Sequence, residues 1–176
     1  HPSTPGKRVV VDSATVDVEV RGLDVLDIET LHDLKISGVS AERAEDWVRR
    51  HTATITDAVD RVTIAAAPGS DGFMGLGYLT ARSRLVVRAP LDTVPDITTT
   101  DGRITVRGDF PAARPLQLRT AGGRIELRGG AHSVDIRSAS GDASLEVFRP
   151  LEHLFARTSS GRVDLVGGAR RVEVDT

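Results

Sequence analysis

Three arginines recur at one position of a repeating pattern: Arg119, Arg137 and Arg157 each stand immediately before a hydroxyl residue that leads into a turn. A guanidinium presents a planar fork of donors that suits carboxylate, phosphate and sulfate groups. A column of three therefore reads as a strip that could grip an anionic glycan or phosphate. The residues two positions earlier are Gln117, Asp135 and Phe155, and the outward positions after each turn interleave Arg124, Glu126 and Arg128 with Asp142, Glu146 and Asp164. The competing reading is a ladder of ion pairs on a solvated face, which contributes a few tenths to about 1 kcal/mol per pair.

No other chemistry assembles from residue types and spacing. The five histidines, His1, His32, His51, His132 and His153, share no metal-ligand spacing, so no metal and no cofactor is assigned. The glycine-rich stretches lack the Walker lysine and the strand-to-helix setting of a dinucleotide loop. No nucleophile elbow is present, and the repeats do not match the aspartate-bearing calcium nonapeptide. The chain reads as a non-enzyme. An enzyme on such a scaffold, for instance one acting on acidic polysaccharides, would need acids or bases gathered in one groove.

The elements that must carry these side chains follow from composition and periodicity. The chain has 176 residues, 39% hydrophobic and 27% charged, with only 3% aromatic, so its core must rest on Val, Leu, Ile and Ala. That is the composition of one folded domain, and its β-branched residues suit a pleated, half-buried surface. The formal net charge is −2, which gives no basic face for nucleic acid. Only Lys7 and Lys35 among the 23 basic residues are lysines, a bias that reflects a GC-rich genome. Cysteine is absent, so disulfides and thiolate metal sites are excluded and the redox compartment stays open. No apolar run approaches the ~20 residues of a membrane span. No signal peptide is visible, and His1 in place of an initiator Met reads as the start of a fragment whose targeting segment is missing.

The second half repeats. Thr99, Thr120, Ser138 and Thr158 are each followed three residues later by Gly102, Gly123, Gly141 and Gly161, and these glycines are spaced 21, 18 and 20 residues apart. Apolar residues stand two and four positions before most of the hydroxyls and two and four after the glycines, as in Leu116 and Leu118, then Ile125 and Leu127. Alternation on both sides of a small-residue turn reads as strand, corner, strand, with Gly supplying a left-handed or tight conformation. A second glycine closes three of the copies, at Gly108, Gly129 and Gly167. Weaker copies lie at Val9 to Gly22 and at Leu26 to Gly38, the latter with a corner after Thr30. The fold expected from this pattern is an all-β solenoid, single-stranded and β-helix-like, with ~20-residue rungs stacked in columns. The expected organisation is a single domain over 1–176: irregular N-terminal rungs in 1–38, a helix and long strands with a loop in 39–92, and regular rungs in 93–176. Val172, Val174 and Thr176 begin a further copy, read either as a truncation or as a native partial rung that exposes unpaired backbone and invites end-to-end self-association.

The middle segment breaks the repeat. Ser40 to Arg50 predicts a short helix with Ser40 as N-cap, acids early and arginines late. Its Trp47 either plugs one side of the solenoid or forms an exposed anchor. The segment 68–78 carries Phe73, Met74, Leu76 and Tyr78 among four glycines. It reads as a loop folded over one face, or as a contact loop for a partner or membrane interface.

Laid out serially, the leading strand pairs, the run Arg84-Leu85-Val86-Val87-Arg88-Ala89-Pro90 and the Thr/Ser-x-x-Gly units resemble the bacterial "putative adhesin" family (DUF4097-like) over nearly the whole chain. The resemblance implies a β-solenoid linked to the cell envelope and to envelope-stress loci, without catalytic residues. The functional expectation is an adhesin-like, non-enzymatic structural or binding module of the cell envelope or extracellular space, with a cytoplasmic location left open. It would meet a protein or glycan partner through its faces or the 68–78 loop. The alternative is a self-assembling or partner-docking scaffold in envelope-stress regulation. No nucleic-acid partner and no transmembrane segment are expected.

Overall fold

Strict alternation of apolar and polar residues lets a strand bury one face only, so the strands of this chain must pair in layers around a shared interior. The computed structural model describes residues 1–66, 72–74 and 77–175, with the side chains of 72–74 and 77–81 left out. In chain order the strands are β1 (Arg8–Ser13), β2 (Asp17–Leu23) and β3 (Glu29–Ser37), then helix α1 (Ala41–His51). Next come β4 (Thr54–Asp57), β5 (Arg61–Ala66), β6 (Gly72–Met74) and β7 (Gly77–Pro90). The repeats supply β8 (Val94–Thr99), β9 (Ile104–Phe110), β10 (Leu116–Thr120), β11 (Ile125–Ala131) and β12 (Ser133–Ser138). Finally come β13 (Ala143–Val147), β14 (Leu151–Thr158), β15 (Val163–Val166) and β16 (Ala169–Asp175).

These strands form two sheets, and the expected single-stranded, β-helix-like solenoid is thereby corrected. One eight-stranded sheet has the order β16-β14-β12-β10-β8-β1-β5-β4, and the other has the order β15-β13-β11-β9-β2-β7-β3 with β6 on β7. Both are mixed: the repeat strands pair in parallel, whereas β4 is antiparallel to β5 and β3 antiparallel to β7. Their inner faces share one core of Val, Ile, Leu and Ala, which is the arrangement of a two-layer sandwich. The physical reason lies in the corners. Each turn sends the chain to the opposite layer after a single strand, so every repeat gives one strand to each sheet. The N-terminal half then adds antiparallel neighbours that no uniform rung would contain.

The corners explain the Thr/Ser-x-x-Gly spacing. The Gly N–H donates to the hydroxyl three residues earlier in all four copies, at 3.1 Å for Gly102 on Thr99, 2.9 Å for Gly123 on Thr120, and 2.8 Å for Gly141 on Ser138 and Gly161 on Thr158. Successive corners lie against each other: a Cβ on Gly141 would sit 1.8 Å from the Gly123 carbonyl oxygen. The corner glycine is thus required by close backbone approach. The left-handed conformation belongs instead to the second glycine, at Gly108, Gly129 and Gly167.

The first 38 residues are arranged differently from a pair of rungs. Strand β1 lies between β8 and β5, with Val9 opposite Pro95 and Val62, and Val11 opposite Ile97 and Ile64. The expected corner after Thr30 does not form; Glu29–Ser37 is one strand running antiparallel to β7. Helix α1 follows, with Ser40 at the N-cap position but no side-chain capping bond. Trp47 is buried and stacks on His51 with ring centroids 3.9 Å apart, as i, i+4 neighbours on a helix can.

Candidate functional site

Parallel register brings the three arginines into one outward column. Arg119 stands opposite Arg137, Arg137 opposite Arg157, and Arg157 opposite Asp175. Their inward neighbours Leu118, Ile136 and Ala156 are fully buried, so strands β10, β12 and β14 hold the guanidinium stems rigidly on the opposite face. With the corner residues Thr98, Thr100 and Ser159 they line a shallow groove of about 410 Å³.

Every arginine in the column already has a carboxylate. Arg119 donates to Asp96 at 2.9 Å and to the Gln117 side chain at 2.5 Å, and Asp96 is also paired with Arg8. Arg137 makes two bonds to Asp135, both at 3.2 Å, and lies 5.8 Å from the Phe155 ring centroid, within cation–π range. Arg157 pairs with Asp175 at 3.0 Å. The strip is a run of guanidinium–carboxylate pairs, so a polyanion would have to displace those carboxylates. Exposure of the arginine side chain rises along the column, from 34% at Arg119 to 56% at Arg137 and 66% at Arg157, so the open end of the groove lies at Arg157.

The second sheet carries its own charge ladder. Arg128 pairs with Glu146 at 2.6 Å, and Asp142 accepts the Arg162 backbone N–H at 3.0 Å. The tightest cluster is Glu19, nearly buried and held by Arg21 at 2.7 Å and by Arg84. The Arg21 hydrogen bond holds the Glu19 carboxyl below its ordinary pKa, with burial opposing and Arg84 adding to the depression. Sequence reasoning passed over this group. The Glu-x-Arg spacing on β2 was a visible signal, but Arg84 arrives only through the β2–β7 pairing, 65 residues away.

A second polar junction was equally hidden. The Ala53 N–H donates to His32 Nδ1 at 3.0 Å, which leaves Nε2 as the protonated nitrogen, 2.6 Å from Ser83 Oγ. Burial pushes the His32 pKa down, and Asp33 partly opposes it. The remaining candidates fall elsewhere. Leu76 lies outside the described residues, while Phe73, Met74 and Tyr78 are described in backbone only: Phe73 pairs with Tyr78 and Met74 with Gly77 in a hairpin. Among the described residues no three His, Asp or Glu side chains gather as a metal site, and no helix is long and apolar enough to cross a membrane.

The geometry defines a class, an all-β protein of two mixed sheets whose repeats stack in register. No family model matches the chain, and no curated protein does so. Among solved structures it is similar in fold to a "putative cell adhesion protein" from Clostridium sporogenes, with a TM-score of 0.50 at 10% identity, covering 99% of this chain and 97% of that one.

Proposed function

We propose that the protein is a non-enzymatic, adhesin-like binding module of the bacterial cell envelope, and that it holds a glycan in the groove beside the corners of the first sheet. The observation that carries this reading is the pairing of Arg119, Arg137 and Arg157 with Asp96, Gln117, Asp135 and Asp175. Each pair sets donors and acceptors side by side, and successive strands repeat them at ~4.8 Å along the sheet. Sugar hydroxyls both donate and accept, so a neutral or weakly charged glycan suits this surface better than a polyanion does. The carboxylates are occupied as ion-pair partners, which supports binding over catalysis. The similarity in fold to the "putative cell adhesion protein" agrees with this reading.

The test is binding of the purified chain to a panel of neutral and acidic envelope glycans, with the variant Arg137→Ala/Arg157→Ala as control. These exposed side chains are dispensable for folding, so melting should hold while glycan affinity falls about tenfold or more, each lost charged hydrogen bond carrying a severalfold share. Retained affinity in the variant, or binding to none of the panel, overturns the glycan site. Protease accessibility of the tagged protein on intact cells, against a cytoplasmic control, tests the location.

A further inference from the structure

Parallel register lines up four arginines on the outer face of the second sheet. Arg21 on β2 stands opposite Arg88 on β7 and Arg107 on β9, and Arg107 stands opposite Arg128 on β11. Their chain neighbours Val20, Val87, Val106 and Leu127 are buried in the core, so the four guanidiniums project from the same side, one per strand at ~4.8 Å spacing. Like charges directly opposite one another are destabilising. Three of the four are compensated: Arg88 by Glu29 at 3.2 Å, Arg21 by Glu19 at 2.7 Å and Arg128 by Glu146 at 2.6 Å. Glu29 and Glu146 close the row at its two ends, and Glu19 is shared with Arg84. Arg107 is exposed, has an arginine on either side, and has no carboxylate partner among the described residues.

We propose that Arg107 anchors a binding site for an acidic glycan, one whose sugars carry sulfate or carboxylate groups. Two shallow grooves of about 270 and 260 Å³ meet at this residue and share Thr105, Arg107 and Glu126. One continues toward Arg103 and Glu19, the other toward Arg128 and Ser144. An acidic group on Arg107 supplies the missing counter-charge and accepts from the planar guanidinium fork. Arg21 and Arg128 add their attraction from either side without leaving their own carboxylates. Sugar hydroxyls on the same ligand meet Thr105 and Ser144, which donate or accept, and Glu126, which accepts.

The same charges narrow the class of ligand. In the groove of the first sheet every arginine of the column is already paired, which suits a neutral glycan. Here one cation is left over, which selects an anionic one. The interleaved acids Glu19, Glu126 and Glu146 oppose a densely charged phosphate backbone or an anionic membrane, so acidic groups set apart by sugar rings fit best. The two sites occupy opposite outer faces of the sandwich and share no residue, so this inference stands without the neutral-glycan reading.

Calorimetric titration of the 1–176 chain with dextran sulfate and with polygalacturonate, against uncharged dextran, separates the sulfate and carboxylate sources. At least one acidic chain should bind. Arg107→Ala should weaken that binding about tenfold, and Arg107→Glu should abolish it. Melting of Arg107→Ala should match or exceed that of wild type, because the substitution removes a cation flanked by like charges. Arg137→Ala/Arg157→Ala should leave binding of the acidic chain unchanged, and Arg107→Ala should leave neutral-glycan binding unchanged, so the failure of either site shows separately. Binding of neither acidic chain overturns the proposal. So does affinity indifferent to Arg107→Ala, or binding to phosphatidylglycerol vesicles in place of the glycans.

Discussion

At the residue scale, His32 is the side chain whose chemistry is most exposed to experiment. Its Nδ1 accepts the Ala53 N–H, a bond that only the neutral ring can make. Because burial lowers the folded-state pKa from the ordinary 6.5, the unfolded chain takes up the proton first as the pH falls. The stability so gained is fully present above the unfolded value and is lost as the pH falls through the folded one. Denaturant unfolding between pH 7.5 and 5 should show falling stability, and the gap between wild type and His32→Gln should narrow as the pH drops. A constant gap would show that the ring is not held neutral. The corner glycine gives a second prediction at this scale. Gly141→Ala places a methyl group against the backbone of the preceding corner, and neither side can yield without breaking the stack. A loss of about 3 kcal/mol or more is expected by denaturant melting, far above the ~1 kcal/mol of an ordinary Gly-to-Ala conformational change.

Strands differ in what they contribute according to their place in the sheet. Leu118 on β10 is flanked by Ile97 and Ile136 and is wholly buried, so Leu118→Ala should cost about 2–5 kcal/mol through lost contacts and the cavity left behind. Val174 on β16 carries the same alternation but is half exposed; Val174→Ala should cost under about 1 kcal/mol. Leu118→Asp buries an unpaired charge and should abolish the folded state, seen as loss of the cooperative transition. Helix α1 is a different kind of element. Its single buried side chain is Trp47, so its attachment depends on that ring and on the β3 strand beside it.

Across the whole molecule, the sandwich is bounded by β4 and β3 at one end and by β16 and β15 at the other. Strands in mid-sheet are hydrogen-bonded on both edges and lie over the core, whereas end strands are bonded on one edge. Amide hydrogen exchange should therefore be slowest in β8, β10 and β12 and in β9 and β11, and fastest in β4 and β16, following the local opening free energies. Equal protection from end to end would contradict this gradient. The pairing of β1 with β8, and of β2 with β7 and β9, joins segments more than 60 residues apart in sequence. Such non-local pairing implies slow folding relative to helical domains of this size.

The ~20-residue spacing of Thr/Ser-x-x-Gly was enough to say which residues stack. Leu118 lies opposite Ile136, and Arg119 opposite Arg137, because the side-chain period of a strand is two and a register slip would turn the apolar face outward. Local sequence also placed the helix and the apolar alternation that builds the core. Sequence alone could not decide how many layers the strands occupy, since a corner looks the same whether the chain continues round a third face or crosses to a facing sheet. Nor could it give the sense of β3 and β4, whose antiparallel partners β7 and β5 are set by tertiary contact. The charged sites divide along the same line. Arg119, Arg137 and Arg157 were legible as a column, and Asp135 stands two residues before Arg137 on the same strand, but the pairing of Arg119 with Asp96 and of Arg157 with Asp175 required the register on both sides. The partners of Glu19 and His32, in Arg84, Ser83 and Ala53, appear only once distant strands pair. Alternation is a local property that each segment carries by itself, whereas layer number, strand sense and ion-pair partners depend on which distant segments meet.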